Sequence, residues 1–491
     1  MAEQQGRRAR RSRRATLLLA FAALGMERAD AALLPALYRE IGDALCASPT
    51  ALGSIALSRS IVQTACYPLA AYLAARHDRL TVIALGAFLW AAATFLIAFS
   101  TTFPQMAVTA AFNGVGLALQ IPAIHALVAE SVDGGSRGVA FGWLAVAAKA
   151  GTVAGTSVGL LMAPASFMGL PGWRLAFLLL GAVGFAVGLS IRTFAAAGDA
   201  TRTRHAATMT SVIIKKPVRQ ELREFVKEAR AVLRVPSFQV IIAQGLTGSF
   251  PWSALSFTAM WLELAGFSHG ETALLMALFK AATSAGALFG GKMGDVLALR
   301  FPNAGRIVLS QISSGSAIPL AGVLLLALPN DASTAVKHGA ALVVLGVMAS
   351  WNGSATNSPI LAEIVPPRAM TTVFALDRTF EAVLASFAPP VVGILAERLY
   401  GYKLPSRSAS TATEGDGEHS AMDRHNATSL AKALFTAIAF PMALCCLIYS
   451  FLYCTYPKDR EMARAEAARD GDDDGSDTED KEETEMQLLP Q

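Results

Sequence analysis

Lys149 and Lys280 stand in the same local phrase, KAGTVAGTSVG and KAATSAGALFG, each near the middle of a long apolar run. An ammonium at the bilayer centre costs about 2.5 to 3.5 kcal/mol, so two of them call for a polar cavity or for partners. The shared pattern, Lys-Ala-x-Thr-x-Ala-Gly-x-x-x-Gly, suggests that both helices occupy related positions in a repeated architecture. In a chain rich in Ala and Gly, coincidence is the competing explanation. Other ionisable residues fall at similar depth, with Arg28 and Arg59 adding to the lysines, and Glu27, Asp30 and Glu381 opposing them. The balance is mixed but leans positive. An anionic or zwitterionic solute is the expected ligand, with Arg28, Arg59, Lys149, Lys280 and Glu381 around it. For each lysine a structural ion pair, such as Lys280 with Glu381, is the alternative. Asn352 and Asn357, with Trp351 and Trp252, offer hydrogen bonds and an apolar wall, or join helices without touching solute.

These residues must be positioned by membrane-spanning helices. The chain has 491 residues, 53% hydrophobic and 16% charged, with mean hydropathy +0.45. That is more apolar surface than a soluble domain buries. Runs of span length lie near 15–38, 49–74, 79–100, 105–129, 138–162 and 173–194, then near 237–262, 271–292, 306–328, 338–364, 371–397 and 431–455. Runs this long exclude a β-barrel, whose strands alternate over about 10 residues. The expected fold is an all-α membrane protein with twelve transmembrane helices in two six-helix bundles.

Its expected parts are a basic N-terminus (1–14), a first bundle (15–194), a linker (195–236), a second bundle (237–455) and an acidic, disordered tail (456–491). Basic residues crowd the N-terminus, the loop after the second run and the linker, whereas 101–104 and 163–172 carry none. Both termini are therefore expected in the cytosol, in a multi-pass protein of the plasma membrane or an endomembrane. In the linker, Val218, Leu222, Phe225, Val226, Ala229 and Leu233 recur at helical spacing, as in an interfacial amphipathic helix or a plain tether. Asn426-Ala427-Thr428 is a glycosylation tripeptide on the non-cytosolic side. Ser476 and Leu488-Leu489 in the tail match weak phosphorylation and sorting patterns.

Gly290-Gly291-Lys292-Met293-Gly294-Asp295, followed by Arg300 and Gly305-Arg306, resembles the cytosolic loop signature of the major facilitator superfamily. The resemblance makes Gly291, Asp295 and Arg306 gating residues, although the intervening segment is longer than usual. The loop after the second run, with Ala71, Ala75 and Asp78, matches the signature poorly. Gly151, Gly155 and Gly159 resemble that family's glycine-rich fifth helix at the interface between halves, packed on the eighth. Asn113-Gly114-Val115-Gly116 resembles its Gly-x-Gly fourth helix, but Ala110 replaces the usual arginine. Glu27-Arg28 in GMERADAALLP is similar to the acid-arginine pair of the spinster branch, in particular its plant spinster-like carriers. That resemblance implies alternating access around a midplane site. It nominates Glu27, with Asp30, for proton coupling, and Arg28 as partner or anion contact. Glu130 and Arg137 flank the fourth and fifth runs and are expected to gate or cap.

The reading is a secondary-active, proton-coupled carrier, since no Gly-x-x-x-x-Gly-Lys-Ser/Thr loop is present to bind a nucleotide. The resemblance suggests lysophospholipids or sphingoid phosphates as substrates. A non-transporting receptor on the same fold, or a carrier of small neutral solutes, is the alternative. No catalytic residues, cofactor, metal or nucleic acid partner are expected, because the seven histidines are scattered along the chain. The expected partners are an organic or lipid-like substrate, membrane lipids and a coupling proton, acting on a monomer.

Overall fold

The computed structural model describes residues 2–76, 78–131, 137–205, 218–365, 370–404 and 416–465. Its long helices follow the apolar runs. In the first half they are α1 (Ala2–Ala36), α3 (Pro49–Arg76), α4 (Arg79–Phe99), α5 (Phe103–Ser131), α6 (Arg137–Met162) and α7 (Gly172–His205). A short helix, α2 (Tyr38–Leu45), follows α1, and a two-stranded hairpin of β1 (Ser166–Phe167) and β2 (Leu170–Pro171) precedes α7. The linker helix α8 (Val218–Val232) is followed by α9 (Pro236–Ala254), which continues through a 3-10 turn into α10 (Thr258–Leu264). Then come α11 (His269–Arg300), α12 (Gly305–Gly322), α13 (Ala335–Ala349), α14 (Ser358–Glu363), α15 (Met370–Ala385), α16 (Ala388–Ile394) and α17 (Asp416–Tyr449).

Among the described residues nine helical segments are long and apolar enough to cross a membrane, and the bent pair Tyr38–Leu45 and Pro49–Tyr67, at 113°, adds a tenth. The two remaining expected spans are α1, which carries Glu27, Arg28 and Asp30 in its apolar stretch, and the interrupted α9–α10 unit. Large apolar side chains such as Leu288 (78% exposed) and Phe440 (72%) point outward. In water this would be a liability, whereas in lipid it is the favoured arrangement. The twelfth helix starts earlier than the sequence suggests, at Asp416 instead of near 431. Its polar first turns dock on the preceding loop, where Asn426 bonds the Lys403 backbone and Ser429 the Tyr400 carbonyl.

Two bundles result. In the first, α1 packs on α6, α4 on α5 and α7, and α3 on α5; in the second, α11 packs on α13, and α9 and α12 on α17. The halves meet along α3 with α16 and α6 with α11. The glycines of α6 do not make that second contact. A Cβ on Gly151 would lie 2.0 Å from the Gly25 carbonyl oxygen, and one on Gly155 2.1 Å from that of Ala29. The stripe therefore draws α6 onto α1 within its own half, and the expected packing of α6 on the eighth helix, α11, is made without Gly151 and Gly155. On α11 the equivalent Gly286 and Gly290 close on Val347 and Trp351 of the tenth-span segment. Small residues let backbones approach in each place, and the lysine faces sideways from the packed stripe.

Linker helix α8 rests on α15, where Thr372 donates to Glu228 at 2.7 Å. The tail motifs at Ser476 and Leu488-Leu489, and the side chains of Glu130 and Arg137, lie outside the described residues.

Candidate functional site between the halves

Helical spacing sorts α1 into two faces. Arg28, Ala31, Ala32, Pro35 and Ala36 recur at i, i+3, i+4, i+7 and i+8 and line a cavity of about 300 Å³ between the halves. Glu27 and Asp30 turn the other way and are each 2% exposed. From α3 come Arg59 and Ser60, from α6 Thr152 and Thr156, and from α11 Met276, Phe279 and Lys280. Trp252 and Ser256 complete the wall. A second chamber of about 350 Å³ shares Thr152, Trp252 and Lys280 with the first and adds Lys149, Thr283 and Asn352.

Lys280 thus lines both chambers, Lys149 of the opposite half lines the second, and Arg28 and Arg59 line the first. No carboxylate lines either chamber among the described residues. The lining is more positive than the sequence census suggests, because the acids lie behind the wall. Asp30 accepts from Thr94 at 2.8 Å and from Asn113 at 2.9 Å, so Asn113 of the Gly-x-Gly helix serves as its partner. Glu27 Oε2 is 3.0 Å from Arg28 Nε, but the angle leaves that oxygen without a hydrogen bond. Arg59 donates weakly to the Ala31 carbonyl at 3.5 Å and acts electrostatically on both acids.

Glu381 takes a different position from the expected one. It pairs with Arg378 at 3.0 Å and turns toward Gly245, so Lys280 does not bridge to it. Among the described residues no carboxylate lies within 4.0 Å of either lysine. Lys280 Nζ instead sits 5.6 Å from the Phe279 ring centroid, and Phe279 stacks on Trp252 at 6.4 Å. The two asparagines also separate. Asn352 lines the second chamber, donates to Ser314 at 2.8 Å and leaves Oδ1 unpartnered, because a π turn at Gly353–Asn357 interrupts the tenth span beside it. Asn357 is buried and accepts from Tyr449 at 2.8 Å, joining helices away from the cavity.

Opposite the termini the cavity is sealed. Arg39 on α2 donates to the Glu263 carbonyl at 2.7 Å and pairs with Asp423 of α17 at 2.8 Å. Thr50 N donates to Glu397 at 2.7 Å, and a Cβ on Gly53 would meet Pro389 at 2.4 Å. Lys149, which lines the second chamber, is exposed. At the same end as the seal, Glu40, Glu263 and His269 converge, a three-residue cluster that the scattered histidines did not suggest.

Near the termini, Arg306 pairs with Asp295 at 2.9 Å and donates to the Ala355 carbonyl at 3.0 Å, while Gly291 lies over Ser354. Asp78 caps α4 through Thr81 N at 3.2 Å. Asn426 is 2% exposed with both ends of its amide bonded to Lys403, so the folded chain hides the nitrogen that glycosylation would modify.

A family model for the Major Facilitator Superfamily matches residues 16–389. A search of curated proteins finds no match. Among solved structures, a bacterial homolog of the human lysosomal transporter Spinster, inward-facing and unoccupied, superposes with TM-score 0.76 at 19% identity, over 91% of this chain and 98% of that one. A D-xylose-proton symporter gives TM-score 0.58 at 14% identity, over 86% and 96%. A nucleoside transporter, NupG, gives 0.61 at 13%, over 90% and 99%. With the two bundles, the cavity between them and the sequence match across most of its length, the chain belongs to the major facilitator superfamily of membrane transporters.

Proposed function

We propose that the protein is a secondary carrier of an organic anion, working by alternating access. The observation that carries this reading is the lining itself: Arg28, Arg59 and Lys280 line one chamber, Lys149 and Lys280 the one beside it, and no carboxylate lines either among the described residues. Arg28 has Glu27 behind it at 3.0 Å, but the two lysines have no carboxylate within 4.0 Å among the described residues, and an anion that bridges them relieves their mutual repulsion. Lysines from both halves give the ligand a contact on each moving part. Trp252, Phe279 and Met276 form an apolar wall beside the charges, which supports an amphiphile such as a lysophospholipid or sphingoid phosphate. The unpartnered Asn352 Oδ1 offers an acceptor to a hydroxyl or ammonium on the same molecule.

The basic loops support cytosolic termini, which would make this the inward-open state with its seal on the far side. Glu27 and Asp30 are the proposed proton carriers. Both are buried one helical face away from Arg28, where a change in their charge alters the field on the anion. Transport of a phosphate-headed single-chain amphiphile into proteoliposomes under an imposed pH gradient tests the reading. Wild type should accumulate it, and Glu27→Gln should keep binding while losing the response to the gradient. Binding without flux in wild type would favour a receptor instead.

A further inference from the structure

We propose that Glu40, Glu263 and His269 form a binding site for one divalent transition-metal cation of the zinc class, seated between the two halves at the sealed end. The donors come from both sides of the interface: Glu40 from α2 in the first half, Glu263 from α10 and His269 from the start of α11 in the second. One ligand atom from each lies within 4.8 Å of the other two. His269 Nδ1 is 2.6 Å from Glu263 Oε1 and 3.7 Å from Glu40 Oε1. Ligands at the usual ~2.0–2.1 Å from zinc stand about 3.3 Å apart in a tetrahedron, so the imidazole needs only sub-ångström adjustments to either carboxylate.

Two carboxylate oxygens at the cluster have no hydrogen-bond partner. The Glu263 side chain is 1% exposed, yet its Oε2 has no hydrogen-bond partner, and neither has Glu40 Oε2. Carboxylate oxygens withdrawn from water and left unbonded are unfavourable unless a proton or a metal meets them. The nearest guanidinium, Arg39, is directed elsewhere, to the Glu263 carbonyl and to Asp423. His269, 33% exposed, leaves a route for the ion and for a water as fourth ligand. One imidazole with two carboxylates favours zinc-class ions over calcium or magnesium, which prefer all-oxygen shells. An ion here ties α2 to α10 and α11, holds the seal closed and slows turnover.

Purified full-length chain in lipid nanodiscs, titrated with zinc, tests the site. Wild type is expected to bind one high-affinity ion, with a rise in thermal midpoint that excess magnesium does not reproduce. Glu40→Gln and His269→Gln should each weaken that binding about tenfold or more, with each variant's zinc-free midpoint as its own baseline and the zinc-induced rise lost. X-ray absorption at the zinc edge of the unmodified chain is an independent arm. A shell of nitrogen and oxygen near 2.0–2.1 Å that includes an imidazole supports the site. Sulfur ligands, a shell without imidazole such as the acidic tail would provide, or unchanged affinity in both variants would overturn it.

Discussion

Both halves contribute basic side chains to the cavity lining, where no carboxylate stands among the described residues, whereas at the sealed end opposite charges clasp across the interface. Arg39 reaches Asp423 and the Glu263 carbonyl there, and Glu397 holds Thr50. The two regions lie along the same interface, but in one neither lysine has a carboxylate within 4.0 Å among the described residues, and in the other Arg39 is paired with Asp423. On the proposed reading they do separate work: the lysine-lined region takes the ligand, and the clasped region keeps one side shut until the halves rearrange. A carrier needs both, since a seal that never opens and a cavity that is already satisfied each stop transport.

Substitutions can break that contrast at several depths. The largest effect is expected where backbone contact sets the position of Lys149. Gly155→Leu places side-chain atoms where the Ala29 carbonyl already is, and little folded protein should survive size-exclusion chromatography; Gly142→Ala, with nothing within 4 Å, should elute as wild type does. Next is the cavity. A charge-assisted contact is worth about 1.5–3 kcal/mol, so Lys280→Ala should weaken equilibrium binding of a phosphate-headed amphiphile about tenfold or more. Lys149, which is exposed, should give a smaller loss when changed to alanine.

At the seal, Arg39→Ala removes a half-exposed pair worth about 1 kcal/mol or less. Labelling of a cysteine introduced at Ser256 by an impermeant maleimide, added from the side opposite the termini, should then rise several-fold. The smallest effect belongs to Asp295→Ala. Its carboxylate is 72% exposed, and Arg306 keeps the Ala355 carbonyl without it, so the thermal midpoint should scarcely move.

Much of the framework was readable before the structure. Long apolar runs mark the helices, and the repeated lysine phrase does correspond to matched faces of α6 and α11. Asp295 and Arg306, both singled out by the loop signature, pair with each other within the second half. What sequence could not separate was depth from direction. Glu27, Arg28 and Asp30 lie at one depth, yet only Arg28 enters the cavity; the run of Ala31, Ala32, Pro35 and Ala36 carried the signal, a stripe of small residues in phase with Arg28. Glu381 and Asn357 likewise sit at a suitable depth and face other helices. The partner of the glycine stripe was misassigned because spacing marks a close-packing face without naming what packs there. Glu40 lies more than two hundred residues from Glu263 and His269, and only the folded interface brings them together.

Equilibrium binding of two amphiphiles, alike in chain and differing only in a phosphate or a neutral head, to the purified wild-type chain tests the anion site most directly. The phosphate-headed compound should bind about 100-fold more tightly, as two charge-assisted contacts of about 1.5 kcal/mol each imply, and the preference should vanish in the Lys149→Ala, Lys280→Ala double variant. Equal affinity for both heads in wild type would contradict the assignment of the basic cavity to an anion.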